Sequence, residues 1–218
     1  MSAKAIREAD GKRILAKNLP EGCPGKTNIF CASYGHGTSW DDVEAGSPFL
    51  KEKKLVAKPD QLIKRRGKLG LVKIDLDFPA AKEWVTEKMD SEITIGRSTG
   101  KLNHFVIEPF VKHDQSDEYY VCIYAGRHAN TILFYHEGGV DIGDVEAKAI
   151  SFDVKLDDLP SAEVISTTLL AEVPAERKPI VAEFVSSLYA TFIDCHFTYV
   201  EINPLVVVGE EVYILDLA

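Results

Sequence analysis

Residues 197–218, FTYVEINPLVVVGEEVYILDLA, place two extended apolar runs on either side of Gly209–Glu210, a pattern that predicts a closing β-hairpin. Side chains alternate with period two along a strand, so Glu201 and Asn203 share a face, and a paired strand brings Asp216 alongside them. Three such oxygen donors suit Mg²⁺, a hard cation held through one or two carboxylates, with substrate phosphates and waters completing its shell. The alternative for the same residues is a sheet edge bearing solvated acids.

In a second stretch, LVAKPDQLIKRRGKLGLV, an apolar strand is expected to deliver Lys58 into a buried position and then to turn at Arg65, Arg66, Gly67, Lys68 and Gly70. Glycine permits close backbone approach, while Lys and Arg neutralise phosphate oxygens, Arg in bidentate fashion. A solvated basic turn is the plainer reading of the charge run. Its setting favours the phosphate reading: residues 51–73 hold nine Lys or Arg against Glu52 and Asp60, whereas residues 137–218 hold sixteen acids against four bases. A basic island in a chain of net charge −9 suits a small polyanion with a divalent cation; it argues against nucleic acid as partner, because a phosphate backbone demands a basic surface.

A third segment, VIEPFVKHDQSDEYY, contains a short extended piece, Glu108 to Val111, whose backbone N–H and C=O groups can read a base edge, followed by Glu118, which can accept ribose hydroxyls. An edge strand stopped by Pro109 explains it equally simply. HEGGVDIGDVEA offers a glycine turn flanked by His136, Glu137, Asp141 and Asp144, with functional and plain-turn readings evenly balanced. His104, His113, His136 and His196 receive no role, and no residue is singled out as catalytic.

Several classes drop out. No apolar run reaches the roughly 18 residues of a membrane span, so no membrane partner is expected, and the opening MSAKAIREADGKRILAKNLP lacks a signal-peptide core. Its basic residues have transit-peptide spacing, but Glu8 and Asp10 interrupt them; the cytosol is the expected location, with organelle import as the alternative. Cys23, Cys31, Cys122 and Cys195 are scattered and expected to be reduced, and no Cys-x-x-Cys pair supports zinc. Gly25-Lys26-Thr27 imitates the end of a P-loop, yet position 20 is proline where that motif requires glycine, and no GxGxxG follows a strand.

The remaining elements read as α+β. Residues 3–17 predict an amphipathic helix, 20–48 a Gly, Pro, Ser and Asp-rich loop, 69–76 a strand, and Pro79 a helix with Ala81, Trp84, Val85 and Met89 on one face. HFVIEPFV, EYYVCIYAG and TILFYHE predict three strands of one antiparallel sheet. Ile180, Val181, Phe184, Val185, Leu188, Tyr189 and Phe192 predict a helix with Pro174 near its first turn.

Lys58 with the RRG turn, IEPF with a following glutamate, and EINPL with a later Asp stand in a specific order that resembles the ATP-grasp portion shared by succinyl-CoA ligase β subunits and ATP-citrate lyases. The longer words KPDQLIKRRGKLGLV, IEPFV, YVCIYA, HEGGVDIGDVEAKA and FTYVEINPLVVV are more similar to the ATP-citrate lyase family. The resemblance implies an incomplete ATP-grasp fold of two small α+β subdomains enclosing a nucleotide cleft, divided as an amino-terminal helix (1–20), a first subdomain (21–110) and a truncated second subdomain (111–218). It further implies ATP and Mg²⁺ as cofactors, with Lys58, Arg66 and Gly67 on the phosphates, Pro109 and Val111 at the adenine, Glu118 at the ribose and Asp216 near the metal. Arg65, Glu108 and Asn203 become neighbours of the nucleotide, Asn203 on the metal side. The family's reaction converts citrate, CoA and ATP to acetyl-CoA, oxaloacetate, ADP and phosphate, supplying lipid synthesis in the cytosol. Citrate, CoA and lyase regions are not expected within these residues, so citrate and CoA would be met only through regions outside them. The family is homo-oligomeric, and association with a full-length enzyme is a further expectation. The alternatives are a non-enzymatic nucleotide-binding or assembly module, or truncated isoform, and a succinyl-CoA ligase β-type subunit.

Overall fold

This computed structural model describes residues 4–63, 66–139 and 142–218. The chain divides into two compact units: a smaller one of Arg7–Lys12 and Phe30–Lys112, and a larger one of Arg13–Ile29 and His113–Ala218 with residues 4–6. Helix α1 (Glu8–Asn18) starts in the former and ends in the latter. Both units mix helices with antiparallel sheet, as the α+β expectation requires.

The smaller unit contains β1 (Ala32–Gly35), α2 (Trp40–Gly46), α3 (Phe49–Glu52), β2 (Leu55–Pro59), β3 (Lys73–Leu76), α4 (Phe78–Lys88), β4 (Glu92–Ile95), β5 (Ser98–Lys101) and β6 (His104–Pro109). Its main sheet runs β1-β6-β2-β3, and β4 with β5 forms a separate hairpin. Helix α4 starts where Asp77 accepts the Ala80 N–H at 2.9 Å and Pro79 occupies the first turn, a favourable place for a residue without an N–H. Its Ala81 and Val85 pack into one core with Leu55, Ala57, Phe105 and Ile107. Because β2 alternates, sending Leu55 and Ala57 to that core sends Lys58 to the opposite face. Register places Lys58 opposite Val106 and Val56 opposite Glu108, so Lys58 and Glu108 share this second face.

Three local expectations change here. Residues 20–48 are not all loop: they include β1 and α2, and their polar composition partly reflects capping, since Ser39 accepts the N–H groups of Asp41 and Asp42. The strand expected from residue 69 begins at Lys73, because Leu71 N–H returns to the Arg66 carbonyl at 3.0 Å and closes a turn. β6 does not join the strands that follow it; its neighbours are β1 and β2. Alternation identifies a strand but says nothing about its partner.

The larger unit contains β7 (Glu118–Ala125), β8 (Ala129–Tyr135), α5 (Val145–Lys148), β9 (Ile150–Lys155), α6 (Ala162–Leu169), α7 (Lys178–Asp194), β10 (Tyr199–Val208) and β11 (Glu211–Ile214), with sheet order β11-β10-β7-β8-β9. The apolar stripe of α7, Val181, Phe184, Val185, Leu188, Tyr189 and Phe192, is buried in the same core as Tyr119, Val121 and Ile123 of β7. Each such burial stabilises by about 1.5–3 kcal/mol, against about 1 kcal/mol for a cap, so packing holds this helix; no side-chain cap bonds its start. Pro179, rather than Pro174, lies in its first turn.

The predicted terminal hairpin is present, with Val208 opposite Glu211. β10 also carries a bulge: Ile202 pairs with Val121 and Leu205 with Tyr119, three steps against two. The extra residue shifts the alternation, so Val200, Ile202, Leu205 and Val207 all reach the core. Among the described residues no helix is long and apolar enough to cross a membrane.

Candidate functional site

In the smaller unit, β2 brings Lys58, β6 brings Glu108 and the first turns of α1 bring Glu8 and Lys12 to one buried cluster. Lys58 Nζ lies 2.7 Å from Glu8 Oε1 and 3.1 Å from Glu108 Oε2. Lys12 Nζ lies 2.9 Å from that same Glu8 oxygen and also pairs with Glu108, which closes a ring of alternating charge. Arg66 extends the ring, its guanidinium donating to Glu8 Oε2 at 2.6 Å and to the Pro59 carbonyl at 2.7 Å. Lys12, Lys58 and Arg66 are only 1%, 4% and 6% exposed, and a buried cation is tolerated only when paired. With Asp60, on which Arg66 also acts electrostatically, the cluster holds three cations and three carboxylates.

The cluster is also tied to the backbone. Asp60 accepts the N–H groups of Glu8 at 2.8 Å and Ala9 at 3.3 Å, so an acid at the end of β2 serves the otherwise unsatisfied first turn of α1. Burial pushes Asp60 above the usual carboxylate range, helped by the negative charge of Glu8, although those two N–H groups pull the other way. Burial alone would also raise Glu8, but Lys12, Lys58 and Arg66 outweigh it and hold its carboxyl well below the ordinary range. Lys12 is held above the usual ammonium range because Glu108 and Glu8 overcome its burial.

Beyond Pro109 the β6 ladder ends with the Phe110 N–H on the Lys54 carbonyl at 2.7 Å, leaving Pro109 to Val111 half-buried at the end of the sheet. Gly67 lies in the turn after Arg66, where Gly70 adopts φ 68°. Arg65 lies outside the described residues.

In the larger unit, the segment after β11 continues the hairpin opposite the bulge. Asn203 N–H donates to the Asp216 carbonyl at 3.1 Å, and Ile202 bridges Leu217, so Asn203 and Asp216 occupy facing positions. Glu201 accepts the Tyr199 hydroxyl, while Asn203 Oδ1 accepts the Gly139 N–H at 2.8 Å. Among the described residues no three His, Cys, Asp or Glu side chains cluster to hold a metal. The facing amide and carboxylate are nonetheless hard oxygen donors in the small number that Mg²⁺ takes from a protein when phosphates supply the rest, so the donor set fits.

Glu118, at the start of β7, is fixed from two sides: His113 Nε2 lies 3.0 Å from Oε1, and Gln115 Nε2 donates to Oε2 at 3.2 Å and to the Gly138 carbonyl at 2.8 Å. A Cβ on Gly138 would sit 2.5 Å from the Tyr119 carbonyl oxygen, and one on Gly139 would overlap a Glu118 carboxylate oxygen. Close packing on the β7 backbone thus requires glycine at 138, and a left-handed φ of 91° favours it at 139. Asp141, from the same stretch, lies outside the described residues. Arg177 secures the approach to Glu118 by bonding the Asp117 carboxylate, the Ser116 carbonyl and the Tyr119 hydroxyl.

Glu8, Lys12, Asp60, Gln115 and Arg177 were not singled out by the sequence. A signal existed for the first two: Glu8, Lys12, Leu15 and Leu19 are spaced along one helix stripe, and a charged pair inside an apolar stripe predicts a buried pair. Gln115 had none, because its contact with Gly138 spans 23 residues.

A family model described as ATP-citrate synthase ATP-grasp domain matches residues 2–218. The chain is 47% identical over 218 residues to ATP-citrate synthase of Homo sapiens, covering all of this chain and 20% of that protein. It is 41% identical over 252 residues to the probable ATP-citrate synthase subunit 2 of Schizosaccharomyces pombe, covering 51% of it. A solved ATP citrate lyase from Methanothrix soehngenii, in complex with citrate and coenzyme A, superposes with a TM-score of 0.84 at 38% identity, covering 99% of this chain and 50% of that one. The chain thus spans between a fifth and about half of the length of these relatives.

Proposed function

The chain belongs to the ATP-citrate synthase ATP-grasp family, and from that premise we propose that it binds ATP with magnesium for the ATP-dependent conversion of citrate and CoA to acetyl-CoA, oxaloacetate, ADP and phosphate. Lys58, Arg65, Arg66 and Gly67 serve the phosphates, Glu108, Pro109 and Val111 the adenine end, and Glu118 the ribose. Asn203 and Asp216 hold the magnesium, which when bound neutralises phosphate charge and orients the terminal phosphoryl group. The observation that supports this reading most is a family match whose bounds, residues 2–218, include all of these positions.

The chain's own contribution is electrostatic and positional. Donors fixed in a weakly solvated setting stabilise developing phosphate charge better than mobile ones, because they do not reorganise as the charge moves. Lys58 and Arg66 are fixed by carboxylates, and Glu118 by His113 and Gln115. On this reading citrate and CoA are bound by regions outside these residues, and the chain works in the cytosol, where acetyl-CoA feeds lipid synthesis.

Titration calorimetry with ATP tests the assignment. Asp216→Asn is expected to weaken magnesium-dependent binding about tenfold or more, the scale of one charge-assisted contact, while leaving the melting temperature nearly unchanged. Equal affinity with and without the substitution would remove Asp216 from the site.

A further inference from the structure

Glu8 has no part in the roles assigned above, yet among the described residues of the smaller unit it is the one on which the three buried cations converge. Lys12 and Lys58 reach its Oε1 at 2.9 and 2.7 Å, and Arg66 reaches Oε2 at 2.6 Å. Its backbone N–H is held in turn by Asp60 at 2.8 Å. We propose that Glu8 is a positioning residue for the triphosphate, its carboxylate setting the directions of the Lys58 ammonium and the Arg66 guanidinium.

Two opposite roles are conceivable for a carboxylate in contact with phosphate-binding cations: it can aim them, or it can occupy the phosphate's place until ATP displaces it. The surroundings of Glu8 favour aiming. It sits in the first turn of α1, pinned at its backbone by one acid and at both carboxylate oxygens by cations, and its side chain is buried. A displaced Glu8 carboxylate would lose all three of its cation contacts at once, leaving its charge without those partners. Lys and Arg have long, flexible arms, so without the shared anchor both would lose a common direction, and Lys12 would remain without the Glu8 half of its pairing. Glu108 continues the chain of contacts: it pairs with Lys58 and Lys12 and is followed directly by Pro109 to Val111, so one ring connects the groups assigned to the phosphates with those assigned to the adenine.

This inference rests on the ATP-binding reading, and the test separates the two. Magnesium-ATP and adenosine are titrated calorimetrically into the 218-residue chain and into Glu8→Gln and Glu8→Asp. Glu8→Gln is expected to weaken ATP about ten- to a hundredfold, the range of one lost charge-assisted contact, with adenosine affinity within about twofold and partial recovery in Glu8→Asp. Unchanged or tighter ATP binding by Glu8→Gln overturns the proposal, tighter binding being the signature of a displaced carboxylate. Equal losses for ATP and adenosine overturn it as well, since they report general damage rather than aim. Should Glu8→Gln fail to fold, Glu8→Asp, whose carboxylate stops one carbon short, decides by the same ratio of ATP to adenosine loss. An unsubstituted chain that binds no ATP rejects the parent reading, and the inference with it.

Discussion

The two units preorganise polar groups by different means. The smaller one buries full charges and cancels them: Lys12, Lys58 and Arg66 against Glu8, Glu108 and Asp60. The larger one relies more on backbone and close approach, with a bulged strand presenting Asn203 opposite Asp216, a glycine N–H on Asn203, and Gly138 against the β7 backbone, although side-chain pairs such as Arg177–Asp117 also contribute. A charge ring fails when one member is removed, because the others stay buried; a backbone-built site fails when volume is added. That contrast sets how each unit should break.

The largest effect is expected in the ring. Lys12→Met leaves Glu8 and Glu108 short of a partner in a site where Lys12 is 1% exposed, and should destabilise the protein by about 3–5 kcal/mol in urea unfolding. Pairing it with Glu108→Gln should recover part of that loss; strict additivity would show that the ring is not coupled and would break the comparison. Next comes Gly138→Ala. The added methyl meets backbone of Tyr119 that has no side-chain freedom to yield, so a cost of about 1–3 kcal/mol is expected, together with weaker ATP binding through Glu118. A stable alanine variant would mean that β7 can move aside.

A pH effect sharpens the contrast further and is the smallest. Glu8 is depressed in the folded state, so its contribution is present above the ordinary value of 4.5 and is lost as pH falls below it. Lys12 is raised, so its contribution is present below 10.5 and is lost as pH climbs beyond it. Asp60, raised by burial, works in the opposite sense to Glu8 at acid pH and reduces the net loss. Amide exchange should show β2 and β6 losing protection on acidification from pH 6 to pH 3 more steeply than α7, whose face is apolar. Parallel loss in both would contradict the contrast.

Legibility in the sequence followed the range of the interaction. Helix α7 and the terminal hairpin were readable because their signals are local periodicities, and the facing of Asn203 and Asp216 follows from strand pairing. Lys58 read as buried because an apolar strand surrounds it, and it is 4% exposed. Its partners did not read, since Glu8 lies 50 residues away and Glu108 a further 50 beyond Lys58. The sheet membership of β6 failed for the same reason: its neighbours come from distant parts of the chain. The HEGGVDIGDVEA stretch was undecided in the sequence because what crowds Gly138 and Gly139 comes from Tyr119 and Glu118, residues of β7.

On the proposed function, a metal-bound triphosphate meets the Asn203–Asp216 pair. Replacing magnesium with paramagnetic manganese in the ATP complex and recording amide relaxation measures this directly. Resonances around Asn203 and Asp216 are expected to broaden first and to recover when the ATP is displaced; broadening confined to other acids, with these two unaffected, would contradict a metal site there.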